Sequence, residues 1–316
     1  MPKTRCEVCD SKQNEIIDVR EMMFGTKHVF QYLVCNDCGS LTLQNIPENL
    51  GDYYPNDYYS FVEEKQNGFK NWVKFKVEEY SLGNNSFLGS MFSIFFGLDA
   101  NFKAIEKCNP NKETTKILDV GCGGGILLHK LRKQGFTKLY GVDPYVANDI
   151  ITKDIVIKKA SLRDLLEEEK KYDIIMMSHV LEHMENPSQQ LQEVQQLLNE
   201  NGRLIIRVPI SSSHAFEKFK NNWFQIDAPR HLFIPSLRGM NLLSVNQNLR
   251  MQDVFFDSMA IQFTASQNYA KDIPLKDQVN IPFFKRFSPK RLYYSLVSRK
   301  LNKIKKGDQA TFIFSK

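Results

Sequence analysis

The sequence predicts an α/β fold: a largely parallel sheet covered by helices on both faces, preceded by a small cysteine-bearing module. Three observations carry that prediction. From Thr115 onward, short apolar runs alternate with helical patterns, as βαβ units require. The stretch ILDVGCGGGILLHKL, Ile117 to Leu131, sets four glycines in five positions between an apolar run and a helical pattern. Two Cys-x2-Cys pairs, Cys6/Cys9 and Cys35/Cys38, mark the module.

At 316 residues, with 42% hydrophobic and 25% charged, the chain has the composition of an ordinary globular protein with a core. The opening MPKTRCEVCD lacks the apolar segment of a secretory signal, and SFLGSMFSIFFGL (Ser86–Leu98) is too short to span a bilayer. A cytoplasmic location is therefore expected, with the six cysteines as metal ligands or spectators rather than disulfides. The net charge of +6 is local: residues 281–306 hold nine Lys/Arg and no Asp or Glu, which leaves 33 basic against 36 acidic residues elsewhere. One anionic contact fits that distribution better than a nucleic-acid footprint over the whole surface.

In chain order, residues 1–45 read as a zinc-ribbon-like module with short β-like runs, HVFQYLVC being the clearest. Residues 46–108 read as an extended connector, IPENLGDYYPNDYYS, followed by an aromatic-rich helical layer or lid from Gly68. Residues 109–316 form the α/β core. There KILDVG precedes the helix GILLHKLRKQG; LYGVDP precedes a loop; YDIIMMS precedes NPSQQLQEVQQLLNENG; and RLIIRVP follows. Pro187–Ser188 opens the second of these helical patterns and Asn201-Gly202 is expected to close it. After Ser236 come a helix, the strand QDVFFD, a basic helical insertion at about residues 265–307, and the terminal strand ATFIFS.

The glycine loop is half of a nucleotide-binding signature, but its spacing does not suit a dinucleotide. That fingerprint needs Gly-x-Gly-x-x-Gly or Ala, whereas Gly121 and Gly123 are followed by Ile126, with Gly125 coming early. Asp119 ends the strand and sets a negative charge where a pyrophosphate would lie, so it suits a cationic ligand. Asp143 in GVDP lies 20 residues beyond Gly123, where a carboxylate accepts hydrogen bonds from ribose hydroxyls. A ribose, no phosphates and a positive group together describe S-adenosylmethionine.

The ordered motifs LDVGCGGG, GVDP, YDIIMMSHVLEH and NGRLIIRVP resemble the class I S-adenosylmethionine-dependent methyltransferases over about residues 109–264 and the final strand. The resemblance implies a Rossmann-like seven-stranded sheet whose last strand runs antiparallel. It implies that Gly121 and Gly123 admit the methionine moiety, that Asp143 with Pro144 holds the ribose, and that Ser161 and Leu162 flank the adenine, Ser161 standing where the family often has Asp. Ser178 closes the cofactor-side set.

Methyl transfer is an in-line displacement needing an aligned acceptor and, for a hydroxyl, a base. SHVLEH supplies His179, nearest the strand end and expected to line the methyl pocket, together with Glu182 and His183. His183 either faces substrate or orders its loop. NNWFQIDAPRHLFIPS, Asn221 to Ser236, is expected to lie over the substrate mouth, with His231 as base or substrate orienter and Arg230 gripping an anionic group such as a sugar nucleotide's phosphate. The competing reading is a structural Arg–Asp pair beside a capped histidine.

Cys6, Cys9, Cys35 and Cys38, with 25 residues between the pairs, meet the requirement for a closed, structural four-thiolate Zn2+ site. Gly39 suits the turn after the second pair, and Cys108 and Cys122 have no partners. A four-cysteine module on this core resembles bacterial sugar and surface-polysaccharide methyltransferases. That resemblance implies a sugar acceptor in surface-glycan biosynthesis, with C-, N- or O-methylation open. In the insertion, Tyr293, Val297, Leu301 and Ile304 recur at helical spacing among basic residues. That stripe either packs on the core or lies on an anionic membrane's inner face. An RNA methyltransferase and a non-catalytic scaffold are the competing functions.

Overall fold

The computed structural model describes residues 3–54, 68–278 and 288–316. The expectations for 55–67 and 279–287, within the connector and the basic insertion, lie outside the described residues.

Behind the cysteine turns, β1 (Asn14–Arg20), β2 (Val29–Cys35) and β3 (Leu41–Leu43) pair antiparallel. Three helices follow, α1 (Gly68–Ser81), α2 (Phe87–Phe96) and α3 (Ala100–Lys107), the last capped by Asp99. The first half of the core runs β4 (Ile117–Val120), α4 (Ile126–Lys133), β5 (Leu139–Val142), β6 (Ile150–Ile151), β7 (Ile155–Lys158), α5 (Leu162–Leu166) and β8 (Tyr172–Ser178). It continues with α6 (Pro187–Leu197), β9 (Leu198–Pro209), α7 (His214–Phe219), β10 (Phe233–Ile234), α8 (Leu237–Asn246) and β11 (Arg250–Phe256). The chain then forms α9 (Ile261–Tyr269), α10 (Pro289–Lys303) and β12 (Gln309–Ser315).

The main sheet has the order β11-β12-β9-β8-β4-β5-β7-β6. Strands β9, β8, β4, β5 and β7 are parallel, and β12 lies antiparallel between β9 and β11. The seven strands and the antiparallel last strand are as expected; an eighth, β6, adds two residues antiparallel to β7 at the edge. β8 shows why this sheet is covered twice. Ile175 and Met177 enter a core built with α5, α6 and α8, while Ile174 and Met176 enter a second core with α3 and α4. A strand buried on both faces loses the apolar–polar alternation. Each such side chain contributes roughly 1.5–3 kcal/mol by leaving water.

Two local readings differ from the structure. The loop expected after GVDP holds β6 and β7, whose runs are too short and too charged to stand out. Asn201-Gly202 does not close α6: Pro187 opens that helix, but it stops at Leu197, and Leu198 already belongs to β9. The ladder to β8 jumps from Leu198 to Arg203, so the intervening residues bulge out. A Cβ on Gly202 would stand 2.8 Å from the Asn199 carbonyl oxygen, which is why the bulge takes glycine.

The cysteine module is built into the rest of the chain. Strand β10, from the loop after α7, pairs with β3 as the fourth strand of the module's sheet. Val19, Tyr32, Leu41 and Leu43 of the module share one core with Phe216, Trp223, Ile226 and Ile234. The tight seam is visible at Gly239 of α8, where a Cβ would meet Ser40 Oγ at 2.0 Å.

The stripe expected on α10 is rotated. Leu301 is buried, but Tyr293 and Ile304 are 62% and 58% exposed, while Ser298 is buried and Tyr294 stacks on Phe263 at 4.9 Å. The packed face thus runs through Tyr294, Ser298 and Leu301, a four- and three-residue spacing as legitimate as the expected one. No helix among the described residues is long and apolar enough to cross a membrane.

Candidate functional site

The carboxyl ends of β4, β5 and β8 adjoin at the middle of the sheet, where an open α/β sheet forms its ligand crevice. Asp119 on β4 is buried, at 5% exposure. Burial first, and the neighbouring Asp143 second, push its carboxyl up to about 7. The two acids therefore feel one another across the glycine loop. Asp143 is half-buried and accepts the Gly123 N–H at Oδ2 (2.9 Å) and the Tyr145 N–H at Oδ1 (2.8 Å). Each oxygen retains a lone pair.

Gly121, Gly123 and Gly125 have φ of +67°, +50° and +77°, a region that glycine enters without strain. A Cβ on Gly121 would meet Val180 at 2.6 Å, so the glycine also lets the β8 loop close against the β4 loop. Gly121 itself is exposed. Pro144 is exposed, as is Tyr145 at 81%; sequence reasoning passed over that aromatic although it follows Asp143 closely. Ser161 caps α5 in a capping box with Asp164, and Leu162 is buried in the core at 4% exposure. The side chain of Ser161 is thus explained by helix initiation alone.

Beyond Ser178, His179 takes φ +57° and its N–H bonds the Arg207 carbonyl. Its ring is fully engaged. Arg207, anchored on Asp257 (Nε–Oδ2 2.9 Å), donates to His179 Nε2 at 2.6 Å, and His179 Nδ1 donates to Glu182 Oε1 at 3.0 Å. His179 therefore has no free nitrogen for a proton from substrate; it orients Glu182. Burial opposes ionisation of Glu182, but the His179 bond and the nearby histidines outweigh it and hold the carboxyl at about 2. His183 Nδ1 lies 3.0 Å from the Arg230 carbonyl and 3.2 Å from Tyr54 Oη. Burial, then His231, lowers this imidazole to about 4, so it is neutral. His231 is 6% exposed, with Nδ1 at 2.8 Å from the Gln225 carbonyl and its ring edge-on to His183 at 4.7 Å.

Arg230 departs from its expected role. It is completely buried and pairs with Glu21 (2.9 Å) and Asp227, and Nη1 donates to the Tyr53 carbonyl at 3.1 Å. Burial disfavours its charge, but Asp227 and Glu21 more than restore it, holding the guanidinium above its ordinary value. Four of its five N–H groups are bonded and none of the side chain reaches solvent, so it cannot grip a phosphate. The competing reading, a structural Arg–Asp pair, is the one observed, and it joins the module to the loop carrying His231. Tyr32 Oη adds a bond to the His231 carbonyl at 2.8 Å. Glu21, Asp257 and Arg207 were invisible as site residues because each acts through a partner distant in sequence.

The four cysteine sulfurs lie within 4.8 Å of one another and none is in a disulfide. Cys6–Cys38 and Cys9–Cys35 are each 3.5 Å apart, close to the about 3.8 Å of thiolates bonded tetrahedrally to zinc. The two knuckles match. Asp10 N–H bonds the Cys6 carbonyl with φ +57°, and Gly39 N–H bonds the Cys35 carbonyl with φ +79°. Val8 and Cys38 amides donate to Cys6 and Cys35 sulfurs at 3.4 Å. The donor set fits Zn2+ and leaves no open position.

A glycine loop with an acid on either side, at the centre of this sheet, defines a methyltransferase domain. Residues 97–254, half of the 316, match the family described as methyltransferase domain, and the chain belongs to it. Among curated relatives, the ubiquinone biosynthesis O-methyltransferase of Rickettsia typhi is 36% identical over 99 residues, 29% of this chain and 39% of the relative. The enzyme of the same name from Rattus norvegicus (mitochondrial) is 34% identical over 103 residues, 29% of this chain and 30% of that protein. The matched part thus spans well under half of those relatives. A solved S-adenosylmethionine dependent methyltransferase from Mesorhizobium loti aligns with a TM-score of 0.43 at 14% identity, covering 69% of this chain and 98% of that one. At that level the likeness carries no argument about the site.

Proposed function

We propose that the chain transfers the methyl group of S-adenosylmethionine to an oxygen of a small hydroxylated molecule. The observation that carries this reading is the placement of two acids about the glycine loop, Asp119 buried at the end of β4 and Asp143 accepting the Gly123 N–H, a poor place for phosphates and a good one for a cation and a ribose. Asp119 faces the cationic methionine end, Gly121 and Gly123 allow it to approach, Asp143 holds the ribose hydroxyls, and Pro144, Ser161, Leu162 and Ser178 border the nucleoside. The acceptor oxygen attacks the methyl carbon in line, the S–CH3 pair of electrons returns to sulfur, and S-adenosylhomocysteine leaves. Alignment alone supplies up to ~7–11 kcal/mol of the barrier. The hydroxyl proton passes to an imidazole of the His183–His231 pair, His179 being engaged on both nitrogens.

Transfer to oxygen is favoured by relatives named for ubiquinone biosynthesis O-methylation. The sugar acceptor suggested by the cysteine module has no support in those names, and the buried Arg230 removes the phosphate grip that went with it. Zn2+ at Cys6, Cys9, Cys35 and Cys38 is structural in this reading. Purified protein is incubated with methyl-labelled S-adenosylmethionine and two acceptor panels, phenols and nucleotide sugars. Label in a phenol ether supports the reading; label in a sugar alone moves the acceptor class. Failure of calorimetry to detect S-adenosylmethionine binding defeats the reading altogether.

A further inference from the structure

We infer that Glu182, His183 and His231 form a binding site for one divalent transition-metal ion, with coordination positions left open for an acceptor oxygen. One ligand atom from each of the three lies within 4.8 Å of the other two. Three atoms bonded to one ion at about 2.1 Å, with positions left open, lie about 3.0–3.4 Å apart, so the side chains draw in by up to about 1.8 Å.

Hydrogen bonding fixes the donors. His183 Nδ1 and His231 Nδ1 each face a backbone carbonyl, of Arg230 and Gln225 respectively. A carbonyl only accepts, so each ring carries its proton on Nδ1 and keeps a lone pair on Nε2. Glu182 is completely buried; its Oε1 takes the His179 bond, while Oε2 has no partner among the described residues. Each histidine thus offers a lone pair, and Glu182 a bare carboxylate oxygen, within one cluster of side chains. A buried acceptor left unpaired is costly, and a cation removes that cost for Glu182 Oε2.

The surroundings are those of metal ligands. A ligating histidine donates its other N–H to a carbonyl or carboxylate, as both do here. Glu182 is held by His179, and His179 by Arg207 and Asp257. Two imidazoles and a carboxylate suit Mn2+, Fe2+ or Zn2+ rather than a thiophilic ion. Three protein ligands leave room for oxygen, unlike the saturated four-cysteine cluster. A hydroxyl bound there is acidified, and with both Nε2 atoms on the ion its proton leaves to water instead of to an imidazole; only this use of the ion rests on the proposed methyl transfer, whose proton route it replaces.

Mn2+ is the probe, because it does not compete for four thiolates. Zinc-replete full-length protein is titrated with Mn2+, and free ion is read by electron paramagnetic resonance. One bound Mn2+ per chain is expected, weakened at least tenfold by Glu182→Gln and by His231→Gln and unchanged by Asp119→Asn. In wild-type protein, substoichiometric Mn2+ should broaden the imidazole proton resonances of His183 and His231 and spare those of His28, His129 and His214, a readout that needs no folded variant. Absence of bound Mn2+ at millimolar concentration, or broadening spread over all six histidines, overturns the site. A chain that binds Mn2+ but not S-adenosylmethionine keeps this site and loses the proposed function. One that methylates without Mn2+ binding does the reverse.

Discussion

Under the proposed function, Asp119 should make cofactor affinity depend on pH, with a sign and size that follow from its position. Its carboxyl ionises at about 7 because burial and Asp143 oppose the charge. A cation bound beside it favours the ionised form, so binding expels the Asp119 proton and affinity rises with pH up to that value. With a pKa near 7, the acid is protonated about tenfold over at pH 6 and by only about a tenth at pH 8, so affinity falls roughly tenfold between pH 8 and 6. Asp119→Asn carries no charge at any pH. It should lose the slope, leaving only the ligand's own titration, and should sit near the wild type's low-pH affinity. The same substitution should stabilise the ligand-free protein. A carboxyl raised from 3.8 to about 7 costs folding free energy as pH climbs through that window, up to about 4 kcal/mol above it. Isothermal titration calorimetry at pH 6, 7 and 8, with thermal melts of both proteins, measures both effects. An equal pH slope in wild type and Asp119→Asn would refute the reasoning, and so would a lower melting temperature of the ligand-free variant at pH 8.

Two further predictions concern the frame around the site. Arg230→Met leaves Glu21 and Asp227 buried without their cation and should cost about 3–5 kcal/mol in urea unfolding; a loss under about 1 kcal/mol would mean the pairs are replaceable. Stripping Zn2+ with a chelator should release the second knuckle, whose Cys38 and Gly39 carbonyls accept bonds from Ser236 and Ser211. The Leu43 and Leu232 amides, bonded to Leu232 O and Glu182 O, should then exchange hydrogen faster; unchanged exchange after complete zinc loss would show the module is not bracing the site.

Much of the fold was legible because it is written locally. YDIIMMS could be read as a strand since every second residue meets a different core, and the strand–glycine–helix order fixed the place of Asp119 and Asp143. β6 and β7 were missed because two- and four-residue strands with lysines beside them owe their existence to neighbours rather than to propensity. The α10 stripe was rotated because two apolar faces of similar weight compete, and only the position of Phe263 selects one. His179 and His231 could be singled out from the sequence, but what their nitrogens touch could not be read there.

The sequence by itself determined the sheet, the glycine loop with its two acids and the two cysteine pairs, since each rests on spacing within a short segment. Tertiary structure alone decided that Arg230 is a buried strut, that β10 completes the module's sheet, and that Glu182 and His183 meet His231. These are contacts between segments dozens to hundreds of residues apart. The charge a side chain can carry, and the atom it leaves free, are set by the partners that folding brings to it.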